Sequence, residues 1–189
     1  MCIACPRTIQ SYTGVGATLT WPSGYTEVFA PTSGGGDQAA CAAISVKAAA
    51  ASESGAKTAT VTNWATSVFM DAWLIEIEGL PIDATDQSSN ATAAATTACS
   101  TGSLTTSIAD EYLLAVICAL SPGTIDNNLG SPTGGFTLQE NKINNWTSPF
   151  NGGGAAAYLD KIPSATGTWS VGMTSANSGY NAGFMVTFK

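Results

Sequence analysis

The chain has 189 residues, enough for one large domain or two small ones. Only 10% are charged while 44% are hydrophobic, and Ala, Gly, Ser and Thr dominate, so a charge-laced helical surface is not expected. Thirteen acidic against six basic side chains (net charge -7) leave no basic patch for phosphates or anionic lipid, and the lack of histidine removes the common zinc ligand, the usual neutral-pH base and every Ser-His or Cys-His pairing.

In chain order, Met1-Cys2-Ile3-Ala4-Cys5-Pro6-Arg7 lacks the basic start and apolar run of a secretory signal, and no stretch elsewhere is apolar for long enough to span a membrane. A soluble chain made in the cytoplasm is expected, with no nucleic-acid or membrane partner. Cys2-Ile3-Ala4-Cys5 has the spacing of a redox or zinc pair, but no further Cys or His stands nearby to complete a site. Small, semi-buried thiols in a central strand are expected instead, with no metal and no cofactor; Cys118 reads the same way. Five cysteines leave at least one thiol unpaired within the chain.

Turn-forming clusters then recur: Thr13 to Gly16, Pro22 to Gly24, Pro31 to Gly36, Ser52 to Gly55, Gly79 to Pro81, Ser121 to Gly123, Gly130 to Gly135, Asn151 to Gly154 and Asn177 to Gly179. The short segments between them are rich in Val, Ile, Thr and aromatic residues, as strands require. Ala39 to Ser52 competes for helix through its alanines. Ala72-Trp73-Leu74-Ile75-Glu76-Ile77-Glu78 alternates, with Trp73, Ile75 and Ile77 on one face. The Ser- and Thr-rich stretch Ala91 to Ser107 can supply an opening strand ahead of Glu111-Tyr112-Leu113. Leu113 to Leu120 is apolar throughout, the pattern of a strand covered on both faces. Gly183 to Phe188 alternates again, with Phe184, Val186 and Phe188 on the apolar side.

Sliding the sequence along itself until Gly24-Tyr25-Thr26 meets Gly135-Phe136-Thr137 also aligns Phe69 with Tyr180 and Ala72 to Ile77 with Gly183 to Phe188. The same shift sets Cys2 to Cys5 on Leu113 to Val116. A triple glycine (Gly34 to Gly36, Gly152 to Gly154) precedes an Ala-rich segment ending in Lys47 or Lys161 in each copy. Pro163, just past Lys161, argues against helix in both copies. The expected fold is all-β: two tandem antiparallel β-sandwiches of jelly-roll or Ig-like type, residues 1–80 and 81–189, with helix under about 10%. One larger jelly roll built by the two halves is the alternative. The first copy begins at the equivalent of Leu113 and lacks the opening strand.

Glu76 with Glu78 and Asp110 with Glu111 are the close acidic pairs. Either can in principle form half of a glycosidase pair or part of a calcium site, with Asp83, Asp86 and Asp126 adding loop oxygens. Solvated strand and loop charges are the expected reading, so no catalytic residue is assigned. Of the five tryptophans, Trp73 is expected in the core, and Trp146, in the polar stretch Asn141 to Asn151, is the candidate for an exposed ring contacting a glycan.

The order of apolar strand, Pro-x-Gly-Tyr/Phe-Thr turn, Ala-rich strand ending in Lys, Ser/Thr-x-Gly loop and Trp73-type strand resembles the repetitive β-sandwich proteins of tailed phages and related bacterial surface modules. That resemblance implies a non-enzymatic virion structural protein, a capsid decoration or cement protein or a fibre-type subunit. It would bind other virion proteins or copies of itself on a virion surface after assembly in the host cytoplasm. A carbohydrate-binding or adhesive module of an extracellular protein is the alternative. The missing strand is expected to leave an unpaired edge at Met1, Cys2, Ile3, Ala4, Cys5 and Pro6, making that segment an assembly interface unless Pro81 to Ala98 folds back to fill it.

Overall fold

The computed structural model describes residues 2–9, 18–34, 38–47, 54–62, 68–77, 85–122, 124, 127–146 and 152–189. Among them every regular element is a strand, and every ladder is antiparallel. The first part of the chain forms β1 (Cys2–Ile9), β2 (Thr18–Thr20), β3 (Thr26–Gly34), β4 (Gln38–Val46), β5 (Thr60–Thr62) and β6 (Val68–Leu74). The second forms β7 (Thr85–Ser100), β8 (Leu104–Thr105), β9 (Tyr112–Pro122), β10 (Thr137–Trp146), β11 (Gly152–Lys161), β12 (Thr168–Trp169) and β13 (Gly172–Phe188). The larger sheets run β3-β4-β1-β6 and β10-β11-β9-β13-β7, and β2-β5 and β8-β12 are small two-stranded sheets. Among the described residues, no ladder joins a strand of the first part to one of the second.

The core is organised around β9. Its unbroken apolar run alternates sides, so Leu114, Val116, Cys118 and Leu120 face one way and Leu113, Ala115, Ile117 and Ala119 the other. The first set packs with Phe184, Val186 and Phe188 of β13 against Ile44 and Trp73 of the other large sheet. The second set packs with Leu159 and Met185 under Leu104, Leu129, Phe136, Val171 and Met173. Each of the large side chains buried there stabilises the fold by about 1.5–3 kcal/mol. The two halves thus contribute one large sheet each to a shared core.

Several strand bounds differ from expectation for physical reasons. β4 is a strand where alanine propensity competed for helix, because its ladders to β1 and β3 and the burial of Ile44 and Ser45 outweigh a few tenths of a kcal/mol per residue. β6 starts before Ala72 and stops at Leu74, which lies opposite Cys2, the first residue of β1; Ile75 to Ile77 continue without a ladder. β7 begins at Thr85, ahead of the predicted stretch, and lies against β13. β1 itself is paired on both sides, with β4 and with β6, so Cys2 to Pro6 form the interior of a sheet and the expected open edge there is corrected. Met1 lies outside the described residues. β7 therefore has no gap beside β1 to fill.

Close approach of β7, β13 and β9 depends on glycine. A Cβ on Gly183 would collide with the backbone carbonyl oxygen of Ser100, and one on Gly179 with that of Leu120. Ala95 sits at φ 54 where the β7–β13 register slips between Asn181 and Gly179, a left-handed bulge position that costs an L-residue about 1–2 kcal/mol. Urea unfolding should therefore show Gly183→Ala losing roughly 1–3 kcal/mol through overpacking. Ala95→Gly should gain about 0.5–1 kcal/mol, net of the added chain entropy of glycine. A stable Gly183→Ala protein would show that the strands can separate without penalty.

Candidate functional site

The richest cluster of polar chemistry lies at the seam where β6 meets β10 and β11. A bulge between Leu138 and Glu140 resets the alternation of β10, and Glu140 and Lys142 then share the face of Tyr158 and Asp160 on β11. Buried Trp73 brings its indole edge to this face, donating Nε1–H to Glu140 Oε2 at 2.6 Å. Its ring meets Tyr158 edge-on, with centroids 5.5 Å apart. Lys142 Nζ lies 5.5 Å from the centre of the Trp73 ring and 3.4 Å from Glu140 Oε1. Asp160 accepts from the Tyr112 hydroxyl at 3.1 Å and from Gln139 Nε2 at 2.8 Å. Burial, and then the charge of Asp160, push the Tyr112 phenol far above its ordinary value; burial and then Glu140 raise Tyr158, with Lys142 opposing. Both carboxylates accept from donors fixed by the fold, and both phenols stay protonated well above neutral pH.

A second cluster closes the turn ahead of β10. Lys161 Nζ stands 4.2 Å from the centre of the Trp169 ring and 5.7 Å from that of Phe136, and donates to the Gly134 carbonyl at 2.6 Å. Trp169 Nε1–H donates to Thr106 Oγ1 at 3.2 Å. In the first half Lys47 lies 5.8 Å from the Tyr25 ring centre, and Trp21 donates to Glu27 at 2.8 Å. One face of Trp169 is therefore already occupied by an ammonium. The Trp169 ring is also half-buried against the core beneath β9, and buried Trp73 presents no ring face on which a sugar could stack. Trp146 ends β10 opposite Gly152, and its side chain lies outside the description, as does Trp64.

Of the predicted acidic pairs, Asp110 with Glu111 is the one described at both residues. Glu76 is exposed beyond the end of β6, and Glu78 lies outside the described residues, as do Asp83 and Asp126. Asp110 is exposed, but Glu111 is fully buried, against the expectation of a solvated charge. Its Oε1 accepts from the amides of Ser107 and Ile108 at 2.6 and 2.8 Å and from Ser107 Oγ at 3.0 Å, so it ties the turn that launches β9. Asp86 binds Lys189 and Ser107, which lower its carboxyl below the usual range and join the start of β7 to the end of the chain. Among the described residues, no group of three or more Cys, Asp or Glu could hold a metal, and no helix is long and apolar enough to cross a membrane. The seam residues were missed in the sequence; the available signal was Glu140-x-Lys142 followed by Tyr158-x-Asp160 on neighbouring alternating segments.

Compared with known proteins, the chain matches no family model, no curated protein and no solved structure.

The cysteines are not equivalent. Cys99 is free and buried, and burial pushes its thiol up to about 11. Cys118, in the shared core, is disulfide-bonded, which corrects its reading as a free thiol. With Cys99 free, peptide mapping without reductant should find Cys118 linked to a peptide containing Cys2, Cys5 or Cys41, and Cys118→Ser should lose about 2–4 kcal/mol of stability. Cys99 should resist iodoacetamide at pH 8, where a thiol with a pKa of about 11 is only about one part in a thousand thiolate. Rapid labelling of Cys99 in the folded protein would contradict its burial.

Proposed function

We propose that the chain is a non-enzymatic structural protein of a virion, of the capsid decoration, cement or fibre type, which binds other virion proteins or copies of itself. The observation that carries this reading is where the polar chemistry goes: Asp86, Glu111, Glu140 and Asp160 each accept from donors of the chain's own scaffold. Carboxylates committed in this way strengthen a framework. General acid–base work would need a carboxyl free to meet a substrate.

We further read residues 1–80 and 81–189 as two copies of one unit. The strand orders β3-β4-β1-β6 and β10-β11-β9-β13 correspond element by element. The hairpin bulge falls between Glu27 and Phe29 in one and between Leu138 and Glu140 in the other, positions that the shift of Gly24 onto Gly135 superimposes. Lys47 lies over Tyr25 as Lys161 lies over Phe136. Trp73 and Phe184 occupy matching strands and enter the same core. Ile3 faces Trp73 where Val116 faces Phe184, so the ladders map Ile3 onto Val116 and Cys5 onto Cys118. The shift read from the sequence sets Ile3 on Leu114 instead, one pleat away on the same face. Facing copies that share a core form a stiff double layer suited to assembly on a surface.

The disulfide of Cys118 favours the second reading, an extracellular adhesive or carbohydrate-binding module, because such bonds persist in oxidising compartments. Under the virion reading the bond closes after the particle leaves the reducing cytoplasm. Mass spectrometry of purified particles from cells carrying the gene should find the chain in fixed stoichiometry with other virion proteins; its absence would remove the first reading. A glycan panel should give no binding, and reproducible capture of one sugar class would favour the second. Purified protein should hydrolyse no glycan or peptide substrate. Sustained turnover lost in folded Glu140→Gln or Glu76→Gln protein would overturn the non-enzymatic assignment.

A further inference from the structure

Among the described residues, the edge without a strand partner is a different one from that expected from the sequence. In the second half β7 covers the outer side of β13, from Thr85 opposite Phe188 to Ser100 opposite Gly172. In the first half β6 stands beside β1 as β13 stands beside β9, but among the described residues no strand pairs with its other side. Alternate residues of Val68–Leu74 therefore turn backbone N–H and C=O groups outward with no ladder among those residues to receive them. Natural edge strands are blunted by Pro, Lys or a bulge. The sequence Val68-Phe69-Met70-Asp71-Ala72-Trp73-Leu74 contains neither Pro nor Lys and a single charge, Asp71; its register with β1 is unbroken, and Leu74 at its end is 62% exposed.

We propose that the outer edge of β6 is a strand-acceptor site, filled by an extended, Ser/Thr/Ala-rich segment of another protein chain running antiparallel to β6. The occupant's chemistry is read from β7, the strand at the matching edge, whose sequence TDQSSNATAAATTACS carries a single charge. Such a strand gives main-chain hydrogen bonds and small side chains that lie flat against a neighbour. β7 of a second copy is not the occupant, since each β7 is held along its length by its own β13. This inference rests on reading the halves as copies and gives the proposed subunit its assembly contact.

The test uses the whole chain and a synthetic peptide of residues 85–100 carrying C99S, followed by hydrogen exchange with mass spectrometry. Saturating peptide should slow exchange of residues 68–74 at least tenfold and leave β13 unchanged. A peptide of scrambled order should protect comparably, because the main chain carries the binding, whereas one with Pro at alternate positions should lose at least tenfold in affinity. A copy of residues 85–100 joined ahead of Met1 by a Gly/Ser linker should give the same protection in cis and block the added peptide. Unchanged exchange at residues 68–74 in both formats, or equal protection by the Pro peptide, would overturn the site. Particle incorporation without edge protection would sink this inference alone, and edge protection in a chain absent from particles would sink only the virion reading.

Discussion

Burial of β9 on both faces is the constraint from which the rest of the architecture derives. A strand of continuous apolar residues has no side that water can accept, so one layer must be supplied above it and another below. The layer below comes from its own half, through Leu104, Leu129, Phe136, Val171 and Met173. The layer above must come from elsewhere, and Ile44 and Trp73 of the first half provide it. β9 is thus closed by residues of both halves, one face by each cluster. Sharing the core joins the two large sheets into one double layer, with disulfide-bonded Cys118 inside it.

The polar seam at one side of that contact is the consequence of where the shared core ends. Trp73 is large and carries an N–H that needs an acceptor when buried, and Glu140 at the margin supplies it. Glu140 would be poorly placed beside apolar side chains without compensation, which Lys142 and the indole N–H provide. Tyr112 and Asp160 repeat the arrangement one step inward, a phenol with an apolar body and a polar tip meeting a carboxylate. The contacts of Trp73 with Glu140, Lys142 and Tyr158 tie the two sheets together at a margin where the charged groups remain partly solvated.

Much of the fold was legible in the sequence because alternation records how many faces of a strand are covered. The unbroken run Leu113 to Leu120, the alternating Phe184, Val186 and Phe188, and the clash of Pro163 with a helical reading all report local burial or backbone geometry. Neighbour relations are not recorded in that way. Cys2 to Pro6 read as an edge in the sequence, yet the ladders set β1 between β4 and β6, and the side without a partner among the described residues belongs to β6, far away in sequence. Glu111 looked like half of a solvated acidic pair, since nothing in its neighbours shows that two amides and a hydroxyl converge on it. The seam was invisible for the same reason: Trp73 and Glu140 are separated by 67 residues and meet only when the sheets pack.

The abundance of small residues carries a cost that the rest of the design offsets. Gly179 and Gly183 let β7 and β9 approach β13 closely, and Ala155 to Ala157 give β11 little side-chain bulk on either face. Close strands gain regular hydrogen bonding, but glycine and alanine bury little apolar area per residue, and glycine loses the most chain entropy on folding. A chain so composed cannot rely on a thick core of its own. Its stability must be concentrated where large side chains remain, at Phe184, Leu113, Leu114, Ile117, Leu120, Ile44 and Trp73, all of which are buried against β9 or across the contact between the sheets. Of the small-residue strands, β11 and β13 lie inside the sheet and only β7 lies at its margin, where main-chain pairing with β13 holds it in place of side-chain bulk.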